Sequence, residues 1–168
     1  QQELNLSLPS QSRDAESFFN QFFEIPAGQL QVFGREAWFS PVASGTNRAD
    51  AMVVCPCTMN TLAAIASGMS QNLIERAADV MLKEQRQLIL VPRETPFSTI
   101  HLENMLKLSR VGVVIMPANP GFYHHPETLQ QVIDFIVARV LDHLQIEHQL
   151  VSRWGEGNAT LTGYSHCD

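Results

Sequence analysis

The sequence predicts an α/β fold with a doubly wound parallel sheet, on two observations. Short apolar runs alternate along the chain with segments of helical periodicity. These runs are apolar throughout, which is typical of parallel strands covered on both faces and joined by crossover helices. A chain of 168 residues, 45% of them hydrophobic, can bury one sizeable core. We therefore expect one domain over residues 1–168.

The predicted elements follow from these patterns in order. Strands are expected at the short apolar runs, namely residues 51–54, 88–91 and 113–116, the last closed by Pro117. Helices are expected where apolar residues recur at helical spacing, namely residues 61–67, 72–83, 100–108 and 128–144. The alternation of the two kinds of element is what predicts a parallel sheet.

Composition narrows the class of partner. The formal net charge is −6 and the Lys and Arg residues are scattered, so we expect neither nucleic acid nor an anionic membrane as a partner. No apolar run reaches the roughly 20 residues of a membrane span, and the first residues lack signal-peptide features. An odd count of three cysteines fits a reducing compartment, and we expect the cytoplasm.

A metal site is not expected from the sequence. His124 and His125 are adjacent in a loop, so their side chains diverge, and no third ligand follows at a recognisable spacing. Cys55 and Cys57 lack a second pair of cysteines and are predicted to be small buried residues.

Three loops follow the predicted strands, and ligands of doubly wound sheets bind at that edge. The loops read CPCTMNTLAAIASG, PRETP and MPANPGFYHHPET. In the second loop, Arg93 and Glu94 stand between Pro92 and Pro96, where a guanidinium can hold phosphate and a carboxylate can move a proton. The alternative is a salt bridge that caps the next helix, and both interpretations stay open.

Several long motifs, in order, closely resemble the UbiX-type flavin prenyltransferases. They run from ASG at residues 43–45 through CPCTMNTLAAIASG, PRETP, GFYHHPET and VARVLDHLQIEH to RWGE. The resemblance implies a Rossmann-like (flavodoxin-type) subunit that joins a dimethylallyl group from dimethylallyl phosphate to N5 and C6 of reduced FMN. It also implies FMN sites between subunits of a homo-oligomer, expected to be a dodecamer. UbiD-type decarboxylases, acting in ubiquinone synthesis and on aromatic acids, would receive the prenylated FMN.

The resemblance also implies roles for individual residues. Glu94 would handle protons during ring closure, and Trp38 would stabilise developing allyl cation character with its electron-rich face. Contacts to FMN are implied for Thr58, Met59, Asn60, Thr61 and Arg93. Contacts to dimethylallyl phosphate are implied for Glu3, Lys83, Tyr123 and Arg139.

Several of these residues have a structural alternative. Thr58 and its neighbours fit an ordinary helix cap, and Lys83 with Glu84 fits a surface ion pair. Arg139 fits the solvated face of a long helix. Trp38 fits core or interface packing, as does Trp154 near the end of the chain.

The family's first strand and its glycine-rich FMN-phosphate loop do not appear in this sequence. We therefore expect an N-terminally incomplete domain that lacks the first βαβ unit, and a flexible tail at residues 155–168. The alternative function is an FMN-binding flavoprotein of the same fold, either decarboxylase-like or a non-catalytic flavin carrier.

Overall fold

The computed structural model describes residue 9 and residues 11–46 and 49–151. Glu3, Trp154 and the predicted tail at 155–168 lie outside these residues. The chain divides into two compact units, residues 1–116 and 117–168, and each is described by itself below.

The first unit is built on a parallel sheet in which β2 lies between β1 and β3. The strands are β1 (Ala51–Cys57), β2 (Gln87–Pro92) and β3 (Val114–Ile115). Ala51 lies opposite Gln87, and Ile89 lies opposite Val114. All three predicted strands are confirmed, although β1 extends further than predicted and β3 is shorter.

The α-helices described in the first unit are α1 (Ser12–Phe22), α2 (Met59–Ala66), α3 (Leu73–Lys83) and α4 (Thr99–Arg110). A side chain caps the start of α2, α3 and α4, whereas Gln11 before α1 forms no side-chain cap hydrogen bond. Asn72 accepts a hydrogen bond from the backbone N–H of Glu75 at 3.0 Å, and its amide donates to the Glu75 carboxylate at 2.6 Å. Ser98 and His101 form a capping box at α4. The predicted helices α2 to α4 are therefore confirmed with small shifts at their ends.

Helix α1 was not predicted from the sequence. Its aromatic rings pair at a spacing of four residues, Phe18 on Phe22 at 5.7 Å and Phe19 on Phe23 at 6.1 Å between centroids. This spacing places the two rings of each pair on one face of a helix. It was the sequence signal from which α1 could have been predicted.

The core of the first unit lies between the sheet and helices α2, α3 and α4. The largest side chains that are almost wholly buried come from the sheet, α2 and α4. They include Leu88, Ile89 and Leu90 of β2, Leu62 of α2 and Leu108 of α4. Continuous burial of β2 explains why its sequence is apolar without alternation.

The second unit contains α5 (Leu129–His143), which confirms the predicted long helix. Thr128 and Gln131 form a capping box at its start. Leu129, Ile133 and Val137, spaced four residues apart, are all exposed on one face of α5. Across the described residues, none of the helices has the length and apolar character needed to cross a membrane.

The two cysteines of β1 differ in burial, so the prediction that both are buried is wrong for Cys55. Cys57 is completely buried, whereas Cys55 is exposed, because the pairing of β1 with β2 is irregular between Val54 and Cys57. Burial raises the pKa of the Cys57 thiol to about 11.

We expect iodoacetamide at about pH 8 to alkylate Cys55 and to spare Cys57, because only about one part in a thousand of a thiol with a pKa near 11 is ionised there. Mass spectrometry of peptides from the folded protein measures both sites. The Cys55→Ser and Cys57→Ser variants serve as matched controls. Rapid alkylation of Cys57 without unfolding would contradict the burial seen here.

Candidate functional site

The loop after β1 ends in hydroxyl groups at the start of α2. Thr58 Oγ1 accepts a hydrogen bond from the Thr61 backbone N–H at 3.2 Å and lies 3.1 Å from Thr61 Oγ1. The predicted helix cap is therefore present, and Thr58 and Asn60 remain exposed. The side chain of Met59 packs in the core, which leaves its backbone as the part that can face a ligand. Hydroxyls and backbone N–H groups at a helix start suit phosphate or a flavin edge.

The loop after β2 lies at the same edge of the sheet. The backbone N–H of Arg93 donates to the carbonyl of Cys57 at 3.3 Å, which ties this loop to the residue that precedes Thr58. Glu94 is exposed, and its carboxylate accepts a hydrogen bond from the Thr95 N–H at 3.2 Å. Ser98, not the charged pair, caps the following helix. Arg93 and Glu94 therefore follow β2 at the carboxyl edge, in a loop that a backbone hydrogen bond ties to the residue before Thr58.

Lys83 lies at the opposite edge of the sheet. It ends α3, just before β2 begins at Gln87, whereas Arg93 follows the carboxyl end of the same strand. The six residues of β2 span about 17 Å, farther than a lysine side chain reaches. The structure therefore does not bring Lys83 together with Arg93 and Glu94 of the same chain.

The Lys83 ammonium is 2.5 Å from the Glu84 carboxylate, so the predicted surface pair is present. The hydrogen bond from Lys83, together with the positive charge of Lys83, lowers the pKa of Glu84. A side chain at Gly45 would overlap the Glu84 carboxylate, so this glycine gives the pair its room beside the ASG segment. An exposed pair of this kind contributes little stability, which leaves Lys83 available to an anion.

Trp38 lies in the irregular segment between α1 and β1. Its indole is 42% exposed, and Phe39 beside it is fully exposed. The N–H of Leu73 donates to the Arg35 carbonyl at 2.8 Å, which anchors this segment to the start of α3. The half-exposed indole fits either a ligand contact or an interface, and its role beside the prenyl group stays a prediction.

In the second unit, Tyr123 and Arg139 lie on one side of α5. The Tyr123 ring packs edge-on against Phe135 with centroids 6.0 Å apart. Arg139 follows Phe135 by one helical turn, so both side chains project from the same face of α5. The sequence offered no sign of this aromatic contact.

The Arg139 guanidinium donates to Asp142 at 2.8 Å, and His148 lies 3.1 Å from the other oxygen of that carboxylate. Partial burial acts to raise the pKa of Asp142, but the hydrogen bond with His148 and the charge of Arg139 outweigh it and lower the pKa. Arg139 remains half exposed, so its fork of donors can hold an anion while Asp142 orients it.

An apolar cavity of about 240 Å³ lies at the amino edge of the sheet and is lined by residues such as Met52, Ile74 and Ala77. None of the predicted site residues lines it. Within the described part of the chain, no cluster of three or more His, Cys, Asp or Glu side chains could hold a metal ion.

A parallel α/β sheet with hydroxyls, an arginine and a carboxylate at its carboxyl edge defines a flavoprotein-type domain. The model of the family described as Flavoprotein matches residues 9–141. The flavin prenyltransferase UbiX of Pseudomonas aeruginosa is 53% identical over 154 residues, which cover 92% of this chain and 74% of that protein. The chain belongs to the UbiX flavin prenyltransferase family.

Two solved structures resemble the fold. A dodecameric FMN-dependent UbiX-like decarboxylase from Escherichia coli O157:H7 has a TM-score of 0.74 and 45% identity, covering 87% of this chain and 74% of that one. AnUbiX (PadA1), solved in complex with FMN and dimethylallyl pyrophosphate, has a TM-score of 0.73 and 44% identity, covering 85% of this chain and 79% of that one. These comparisons confirm the resemblance found in the sequence and the parallel α/β class.

Proposed function

We propose that this chain transfers a dimethylallyl group from dimethylallyl phosphate to N5 and C6 of reduced FMN, without a metal. The observation that carries the proposal is the arrangement at the carboxyl edge of the sheet. There the backbone N–H of Arg93 donates a hydrogen bond to the Cys57 carbonyl, beside the Thr58 loop. A relative of the same fold holds FMN and a dimethylallyl donor in its solved structure. FMN is a substrate here because it leaves with new covalent bonds.

The residues at this edge would have different roles, according to the chemistry of their side chains. The Thr58 and Thr61 hydroxyls and the N–H groups at the start of α2 would hold polar atoms of FMN, with Asn60 exposed beside them. The Arg93 guanidinium would bind the flavin, and the Glu94 carboxylate would remove and deliver protons during closure of the new ring. Trp38 would face the prenyl group, where its ring stabilises positive charge.

Tyr123 and Arg139 would hold the phosphate of the donor. A phenol hydroxyl and a half-exposed guanidinium on one side of α5 supply hydrogen-bond donors suited to a small dianion. Glu3 is assigned to the same subsite by the family resemblance alone, and it lies outside the described residues.

We also propose that the active protein is a homo-oligomer, a dodecamer like its Escherichia coli relative. Lys83 stands at the amino edge, too far from Glu94 of its own chain to share a ligand with it. A neighbouring subunit would therefore supply Lys83 to each site. The exposed apolar face of α5 and the exposed Ile100, Leu102 and Leu106 of α4 offer surfaces for such contacts.

The prenylated FMN would then be used by UbiD-type decarboxylases, including those of ubiquinone synthesis, in the cytoplasm. This part of the proposal is supported by family membership and by the composition of the chain.

The proposal is tested by anaerobic incubation of the protein with reduced FMN and either dimethylallyl phosphate or dimethylallyl pyrophosphate. We expect the monophosphate to yield a flavin heavier by one C5H8 unit with a changed absorbance spectrum. Bound FMN of unchanged mass with both donors would contradict the transferase and favour a flavin carrier. Release of carbon dioxide from an added carboxylic acid would favour the decarboxylase that one relative is described as.

Arg139→Ala is expected to weaken binding of dimethylallyl phosphate about tenfold or more while FMN affinity stays nearly unchanged. The reason is the loss of charge-assisted hydrogen bonds to the phosphate, each worth about 1.5–3 kcal/mol before solvent exposure is taken into account. Titration calorimetry with each ligand measures the two affinities separately. The exposed Arg110 of α4 is a matched control, since Arg110→Ala removes a charge of the same kind. An equal loss of affinity for both ligands would show that Arg139 does not bind the phosphate of the donor.

A further inference from the structure

Three rings form a cluster in the loop before α5. The His124 ring lies flat on Phe135, with centroids 5.3 Å apart and planes 3° from parallel. Tyr123 meets both rings edge-on, at 5.5 Å from His124 and 6.0 Å from Phe135. Edge-to-face contact with both rings restricts how the Tyr123 ring can turn.

The backbone of Gly121 lies close to the Tyr123 ring. A Cβ at this position would lie 2.5 Å and 3.0 Å from two Tyr123 ring carbons and 3.4 Å from Cζ of Phe135. Only glycine leaves room for the ring to lie this close to the backbone. The ring is thus held by contacts from Gly121, His124 and Phe135.

His124 has an unusual environment for a polar ring. Both of its ring nitrogens are buried, and neither has a hydrogen-bond partner among the described residues. Buried polar atoms without partners are uncommon in folded proteins and often mark a functional constraint. Here the flat, narrow ring packs against both Tyr123 and Phe135, so its shape explains its presence better than hydrogen bonding does.

We propose that Gly121, His124 and Phe135 are positioning residues that fix the phenol of Tyr123 for binding the phosphate of the prenyl donor. The inference rests on the proposed function, which assigns the phosphate to Tyr123 and Arg139. Tyr123 is 58% exposed, and without the cluster its side chain would sample several rotamers. Because Phe135 also stands one turn before Arg139 on α5, the cluster fixes the phenol relative to the guanidinium.

Fluorine NMR can report the environment and mobility of the Tyr123 ring in the protein without any ligand. The chain has two tyrosines, Tyr123 and Tyr164, so protein labelled with 3-fluorotyrosine gives two signals, and Tyr123→Phe identifies the one from Tyr123. We expect His124→Ala and Gly121→Ala to shift or broaden the Tyr123 signal, and His124→Phe, which keeps the stack, to preserve a sharp signal. His125→Asn is the matched control, because His125 is exposed and its φ of 52° is one that asparagine tolerates.

Kinetics then link the cluster to the donor. His124→Ala should raise the KM for dimethylallyl phosphate roughly two- to tenfold, the scale of freeing one immobilised side chain, with a smaller change in kcat. His124→Phe should largely restore the KM. In the Tyr123→Phe background, His124→Ala should have no further effect on KM, since it acts through the phenol.

The outcomes separate this inference from the proposed function. A Tyr123 signal that stays unchanged in His124→Ala and Gly121→Ala overturns the positioning role, whatever the activity. An additive effect of His124→Ala in the Tyr123→Phe background also overturns it. If the signal moves as expected but Tyr123→Phe leaves donor binding unchanged, the assignment of the phosphate to Tyr123 fails, and with it the inference about the donor.

Discussion

Glu94→Gln is expected to reduce turnover by about 10²–10⁴-fold, the usual effect of removing a positioned acid or base, while FMN stays bound. Glutamine keeps the shape of the side chain and can still accept the hydrogen bond from the Thr95 N–H. It cannot take and return a proton as a carboxylate does. Stopped-flow absorbance and flavin binding by fluorescence measure the two properties separately.

The reaction should stop between its two bond-forming steps. Bond formation at N5 needs departure of the phosphate, whereas closure at C6 needs one proton removed and another delivered. Mass spectrometry of the Glu94→Gln reaction should find flavin that is heavier by one prenyl group but lacks the spectrum of the final ring. Arg93→Ala is the contrasting variant and should release FMN. If Glu94→Gln forms the cyclised product at the wild-type rate, Glu94 has only a structural role.

Mixed oligomers of two inactive variants should regain activity. Lys83→Ala and Glu94→Gln are each expected to lose most turnover, since one removes a phosphate ligand and the other the proton carrier. If each site takes Lys83 and Glu94 from different subunits, co-expression in equal amounts leaves about a quarter of the sites with both native residues. Activity near this fraction of the wild-type rate is the expected result, measured on oligomers purified through two different affinity tags.

The control for this experiment is the double variant. Oligomers that mix Lys83→Ala with Lys83→Ala/Glu94→Gln contain no native Lys83, so they should stay inactive. Mixed oligomers of the two single variants that also stay inactive would show that Lys83 and Glu94 act within one subunit. That result would contradict the separation of the two residues across β2.

The strands and their loops could be predicted from the sequence because a strand buried on both faces must be apolar throughout. Leu88, Ile89 and Leu90 show this pattern in β2, and Arg93 follows directly at the carboxyl edge. The cap at Thr58 was also visible, as a hydroxyl just before a helical pattern.

The placement of Lys83 was predictable in principle but was missed. A residue that ends a helix before a parallel strand must lie at the amino edge, opposite the loop that follows the strand. The family motif grouped Lys83 with other donor-binding residues, and a motif carries no information on which subunit supplies each residue.

The contacts around Tyr123 and the exposure of Cys55 could not be predicted. The meeting of Tyr123 with Phe135 depends on the path of the loop and on side-chain rotamers, which the local sequence does not specify. The exposure of Cys55 follows from an irregularity in the pairing of β1 with β2, which hydrophobic pattern alone does not reveal.

The most direct test of the central claim is to identify the bonds in the product. Reduced FMN is incubated with the protein and with dimethylallyl phosphate labelled uniformly with carbon-13 in its prenyl group, and the flavin is examined by NMR. The account predicts that one labelled carbon is bonded to N5 and another to C6 of the flavin. Labelled prenol or unreacted donor as the sole labelled species, with FMN unchanged, would contradict it.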